Sequence, residues 1–153
     1  MLKTKRRIAL CAAVAAAAVP ATAMASSSTV IKTGKVKRGT VVVTSTGLTL
    51  YGFKLDSKTK SACTGSCTRT WIPLPTKGSV TVKSGSGLNQ KLAGKIKRPN
   101  GTFQVTYNGH PLYRYVGDKK PGQENGEGKN QFGGHWYLVG KGGGFLLPLL
   151  GGY

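Results

Sequence analysis

The phrase LYGFKLD, Leu50 to Asp56, returns sixty-two positions later as LYRYVGD, Leu112 to Asp118. Each copy runs leucine, tyrosine, any residue, an aromatic, two variable residues and aspartate, and each begins three residues after a glycine, Gly47 or Gly109. A phrase that recurs at fixed spacing marks a recurring supersecondary unit, which constrains the chain to a duplicated architecture before any element is assigned. The duplication extends outward. KVKRGT at Lys35 to Thr40 returns as KIKRPNGT at Lys95 to Thr102, where Pro99 and Asn100 widen the turn. Trp71 returns as Trp136 after a loop three residues longer.

Within each copy the patterning is that of strands. Val41 to Ser45 is a β-branched run, and Leu48 to Leu55 alternates, with Tyr51, Phe53 and Leu55 on one face and Leu50, Gly52 and Lys54 on the other. Phe103, Val105 and Tyr107 alternate in the same way before Asn108-Gly109, the strongest short hairpin signal. Pro73 and Pro75 beside Trp71 exclude a central strand there. The expected fold is all-β: two tandem hairpin or meander repeats sharing one small core, each followed by a loop that returns a tryptophan.

The segment before the repeats carries Lys3, Lys5, Arg6 and Arg7, then an apolar run from Ile8 to Val19 and Ala23-Met24-Ala25, the pattern of a secretory signal peptide. Its apolar run is shorter than the roughly twenty residues of a spanning helix. The expected boundaries are a signal peptide at 1–25, a flexible leader at 26–34, a first repeat at 35–78, a connecting segment at 79–94, a second repeat at 95–140 and a Gly-rich tail at 141–153. Cys11 leaves with the signal. Cys63 and Cys67 then form an even pair in an exported chain, which favours a structural disulfide over a redox pair or half a metal site, because the spacing is not CxxC and no second pair exists.

Formal charge is +19, and removing the four basic residues of the signal leaves nineteen Lys and Arg against four acids, +15. Such a field attracts polyanions. For an exported chain these are anionic wall polymers or a membrane surface; no nucleic-acid module is recognisable, and nucleic acid is not an expected partner.

The motif residues have two readings each. Tyr51 with Phe53, and Tyr113 with Tyr115, are either core or a stacking platform, and the core reading is preferred because the chain has few other large side chains to bury. Asp56 and Asp118 are expected to accept backbone N–H groups of the following turns, in preference to acting as an acid–base pair. Glu124 and Glu127 do not match a calcium loop. His110 and His135, the two histidines of the chain, are weak metal candidates without a third ligand. No catalytic motif is present, so no enzyme activity and no cofactor are expected.

With both phrases and both tryptophans placed, the chain resembles the bacterial secreted repeat family of unknown function, lipoprotein-like proteins with a YxFxxD motif. The resemblance runs from about Lys35 to Val139 and is carried by GLTLYGFKLD, SACTGSCTRTW, NGTFQVTYNGHPLYRYVGDKKPGQENGEG and GHWYLV. It implies an exported envelope or extracellular protein built from two small β units, with no established activity. Many relatives carry a lipobox; here Leu10 precedes Cys11 where a small residue is required, so a lipid anchor is not expected. The functional expectation is a non-enzymatic protein whose basic surface binds anionic cell-surface polymer, with a metal- or haem-binding redox protein as the alternative.

Overall fold

The computed structural model describes residues 27–147. The signal segment with Cys11 and the cleavage position near Ala25, and residues 148–153 of the tail, lie outside the described residues.

The first repeat opens with an antiparallel hairpin, β1 (Thr29–Val36) and β2 (Gly39–Thr44), paired from Ile31↔Thr44 to Val36↔Gly39. Residues 29–34, expected in a flexible leader, thus form most of β1. The reason is pairing on both sides and burial: Ile31 is fully covered, and Thr29 to Ile31 also run parallel to β6 (Val80–Val82) inside the expected connecting segment. After the hairpin come β3 (Tyr51–Phe53), a disulfide loop, the single-turn helix α1 (Cys67–Thr70), β4 (Trp71–Pro73) and β5 (Pro75–Thr76). Leu55, expected on the inner face of an eight-residue strand, is 54% exposed. The strand stops at Phe53, where a turn closes through Asp56 N–H to the Phe53 carbonyl.

The second repeat reproduces this plan. A 3-10 turn (Gln90–Leu92) leads into β7 (Ala93–Lys97), which pairs with β8 (Phe103–Tyr107). Asn108 and Gly109 both take positive φ, 50° and 77°, as the primed hairpin turn requires. The return strand is divided into β9 (His110–Pro111), paired with β8, and β10 (Tyr113–Tyr115), which has crossed to another sheet. A loop containing the short β11 (Asn130–Gln131) delivers β12 (Gly134–Leu138).

The repeats are interlocked rather than side by side. The five-stranded sheet runs β11-β12-β3-β10-β4, with Tyr51 of the first repeat directly opposite Tyr113 of the second. The tryptophan strand of each repeat pairs with the tyrosine strand of the other: Trp136 faces Phe53, and Trp71 faces Tyr115. The chain beyond each tryptophan then lies against the other repeat's hairpin, Val139 accepting from Val42 N–H and Leu74 accepting from Val105 N–H. Pro73 and Pro75 fall on strands at sheet edges, where a missing donor is tolerated. Each half therefore supplies what the other half lacks.

Two cores result. One is aromatic, built on Tyr51, Phe53, Trp71, Tyr113 and Trp136 with the disulfide and Leu138 beside them. The other is aliphatic, with Ile31, Val42, Leu50, Val105, Leu112 and Val139 around Tyr107. Leu50, just ahead of β3, and Tyr51 within it are both fully buried although they point to opposite faces, because Leu50 enters the aliphatic core and Tyr51 the aromatic one.

Candidate functional site

Tyr51, Phe53, Trp71, Tyr113, Tyr115 and Trp136 all lie on strands of the five-stranded sheet, and Asp56 and Asp118 follow in the loops that leave it. Trp71 and Trp136 stack at 3.9 Å with planes 1° apart, Phe53 continues the stack on Trp136 at 4.2 Å, and Tyr115 leans on Trp71 at 4.7 Å. Tyr51 and Tyr113 meet Trp71 and Trp136 edge-on at 5.4 and 5.0 Å. Apart from the half-buried Tyr115, these rings are buried and form core rather than an open platform. Gly126 makes the packing possible, since a Cβ there would sit 2.8 Å from Trp71 Cη2 and 2.9 Å from Tyr51 Cζ.

The aspartates fasten the two repeats to each other. Tyr51 OH donates to Asp118 Oδ2 at 2.5 Å, and Tyr113 OH donates to Asp56 Oδ2 at 2.7 Å, so each repeat's tyrosine holds the other's aspartate. The remaining oxygens accept from the loops: Asp56 Oδ1 from Ala62 N–H at 2.7 Å, and Asp118 Oδ1 from the backbone and side-chain amides of Asn125, both at 3.0 Å. All four carboxylate oxygens are occupied, the geometry of a fastener rather than of an acid–base pair. Burial pushes both phenols above their ordinary range, and the facing carboxylates add to the shift, so both tyrosines stay protonated as donors.

Two arginines, Arg38 and Arg98, extend the exchange. They are the equivalent last residues of KVKR and KIKR, and each reaches into the other repeat's loop. Arg98 is 7% exposed and donates to the Cys63 carbonyl, to Ser61 Oγ at 2.9 Å and to Gln104 Oε1. Ser61 in turn shares a 2.6 Å hydrogen bond with Tyr113 OH, and Gln104 donates to the Leu112 carbonyl at 2.9 Å. Arg38 faces Glu124 and Glu127, the latter at 3.5 Å, while Glu127 Oε2 accepts from Leu138 N–H at 2.6 Å. The first repeat's loop is closed by the Cys63–Cys67 disulfide; the second, which has no cysteine, is held by acids instead. Sequence reasoning found the KxKR repeat but not which of its basic residues turns inward.

Asp56 carries a pH signature. Burial raises its carboxyl from the ordinary 3.8 to about 6, against the opposing pull of Ala62 N–H, Tyr113 and the Arg98 charge. The folded protein then binds more protons than the unfolded chain between these values, so this contribution to stability is greatest below pH 3.8 and is lost as pH rises to about 6. Urea denaturation of the wild type and Asp56→Asn from pH 4 to 7 should show the wild-type advantage shrinking across that interval and level above it. An advantage that grows with pH would contradict the assignment.

The weak metal candidates stand elsewhere. His110 is half-buried against Phe145 at 4.3 Å, and burial first, then Lys54 and Lys58, lower its pKa. His135 is exposed and stacks on Tyr137 at 5.9 Å. Among the described residues no group of three or more His, Cys, Asp or Glu side chains is placed to hold a metal ion. The neighbours of His110 are a ring and two ammonium groups, and Cys63 and Cys67 are committed to each other.

Comparison with known proteins adds one finding. A family model described as a secreted repeat of unknown function matches residues 32–74 and again 94–140, together more than half of the chain. Each match runs from the hairpin to just past the tryptophan strand. No curated protein and no solved structure matches the chain.

Proposed function

As a member of this family of secreted repeats of unknown function, the chain is an exported protein, and we propose that it acts without catalysis, holding anionic polymer of the cell envelope by charge. In this reading residues 1–25 are the export signal, cut near Ala25, and the folded part works outside the cytoplasm.

One observation carries the proposal. The whole sequence has four acidic residues, and all four are spent inside the fold: Asp56 and Asp118 on tyrosines and loop amides, Glu124 and Glu127 on Arg38 and Leu138 N–H. The lysines are left without carboxylate partners among the described residues, where the ion pairs are those of Arg38. With its carboxylates already engaged and its lysines unpaired among the described residues, the folded protein presents an attractive field to any polyanion it meets.

The attraction should be strongly salt-dependent, because the screening length falls from about 10 Å at 0.1 M salt to about 3 Å at 1 M. Wild-type protein lacking the signal should sediment with purified wall polymer or anionic vesicles at low salt and be released by high salt. Failure to bind either at low salt would overturn the reading.

A further inference from the structure

The sheet that buries the aromatic core on one face carries a second set of rings on the other. In β12, His135 and Tyr137 alternate with the buried Trp136 and so point outward. Tyr137 lies opposite Gly52 of β3. At Gly52 the absent side chain leaves a notch that Phe145 fills; a Cβ there would sit 2.6 Å from Phe145 Cε1. Phe145 then carries the series on to His110. Successive ring centroids from His135 through Tyr137 and Phe145 to His110 are 5.9, 5.7 and 4.3 Å apart.

These rings are not core. His135 is exposed, and Tyr137, Phe145 and His110 are half-buried. Two ammonium groups edge the series. Lys54 Nζ stands 5.8 Å over the Phe145 ring, and the Lys58 stem rests on Gly109, next to His110. Both lysines are exposed, and their charges are the ones felt at His110, with no carboxylate contributing. Half-exposed rings bordered by uncompensated cations combine an apolar stacking surface with anion attraction.

We propose that the His135–Tyr137–Phe145–His110 face is the binding site for an acidic polysaccharide, whose pyranose rings lie on Tyr137 and Phe145 while Lys54 and Lys58 meet its carboxylates. The assignment rests on the reading that the exported protein engages anionic polymer, and sharpens it from a diffuse field to one face and one ligand class. A ligand without rings would use the lysines but gain nothing from the aromatics.

That difference supplies the test. Wild-type protein, Tyr137→Ala and Phe145→Ala are titrated with oligogalacturonate and, separately, with inorganic polyphosphate, which carries charge but no sugar ring. Each substitution should weaken oligogalacturonate by about five- to tenfold while leaving polyphosphate unchanged. Tyr137 is the cleaner probe, since Phe145 also packs on Gly52; equal melting temperatures certify that the fold is intact. If wild type binds neither polymer at low salt, both this assignment and the charge reading fall. If it binds both but the variants bind as tightly as wild type, or lose both equally, the charge reading stands and this face is not the site. If Tyr137→Ala instead converts a dimer into a monomer in sedimentation, the rings seat a second copy and the polysaccharide assignment is overturned.

Discussion

Arg98→Ala is expected to destabilise the fold by about 3–5 kcal/mol, because it strands three buried acceptors at roughly 1–3 kcal/mol each. The guanidinium satisfies three acceptors from different parts of the chain, the Cys63 carbonyl, Ser61 and Gln104, and all three are buried. Its loss leaves them facing a cavity and withdraws the positive charge that eases ionisation of Asp56. Arg98→Lys should recover only part of the loss, because an ammonium cannot reproduce the planar fork that reaches three partners at once. Arg38→Ala is the natural control: its side chain is 43% exposed, so its removal should cost clearly less. Denaturation curves in urea for the three variants decide the matter; equal losses at the two arginines would contradict the buried-network reading.

Trp71→Ala should be comparably severe, about 3–5 kcal/mol for loss of a fully buried indole. The ring lies flat on Trp136, touches Tyr51 and Tyr115, and donates through Nε1 to Gln131 Oε1 at 3.1 Å. A small domain has about 5–15 kcal/mol in total, so this substitution removes a large part of the margin. Because Trp71 belongs to one repeat but packs on the other's strands, the damage should not stay local. Hydrogen exchange in β2 and β8 should accelerate together, and a variant that loosens only the first repeat's hairpin would argue against the interlocked packing.

Much of the fold was legible because it depends on local chemistry. The β-branched run at Val41 to Val43, the Asn108-Gly109 turn and the duplicated phrase each identify their element without reference to anything distant. What is exchanged was not legible, for a specific reason: the spacing from tyrosine to tryptophan is the same whether Trp71 pairs with its own repeat or with Tyr115. The polar composition of residues 29–34 hid a strand whose stability comes from neighbours on both sides. Arg98 was hidden by its neighbours too, since nothing in KIKR distinguishes the residue that turns inward from Lys95 and Lys97, and charged residues are seldom so buried. The outer ring series escaped notice because Tyr137 of β12 and Phe145 of the tail meet only over the notch at Gly52, which exists only once β3 and β12 lie side by side.

The crossed hydrogen bonds, tyrosine of one half to aspartate of the other, have an implication for how many repeats a chain of this kind needs. A polypeptide holding a single copy would own one tyrosine, one aspartate and one tryptophan strand, each cut to fit a partner it does not contain. Its shortest route to a closed core would be a second identical molecule, related by a two-fold axis through the paired tyrosines where Tyr51 and Tyr113 now meet. Joining two copies in tandem turns that encounter between molecules into a folding step within one, independent of concentration. It also frees the halves to diverge, one loop closing with a disulfide and the other with buried acids, since neither half has to match a copy of itself.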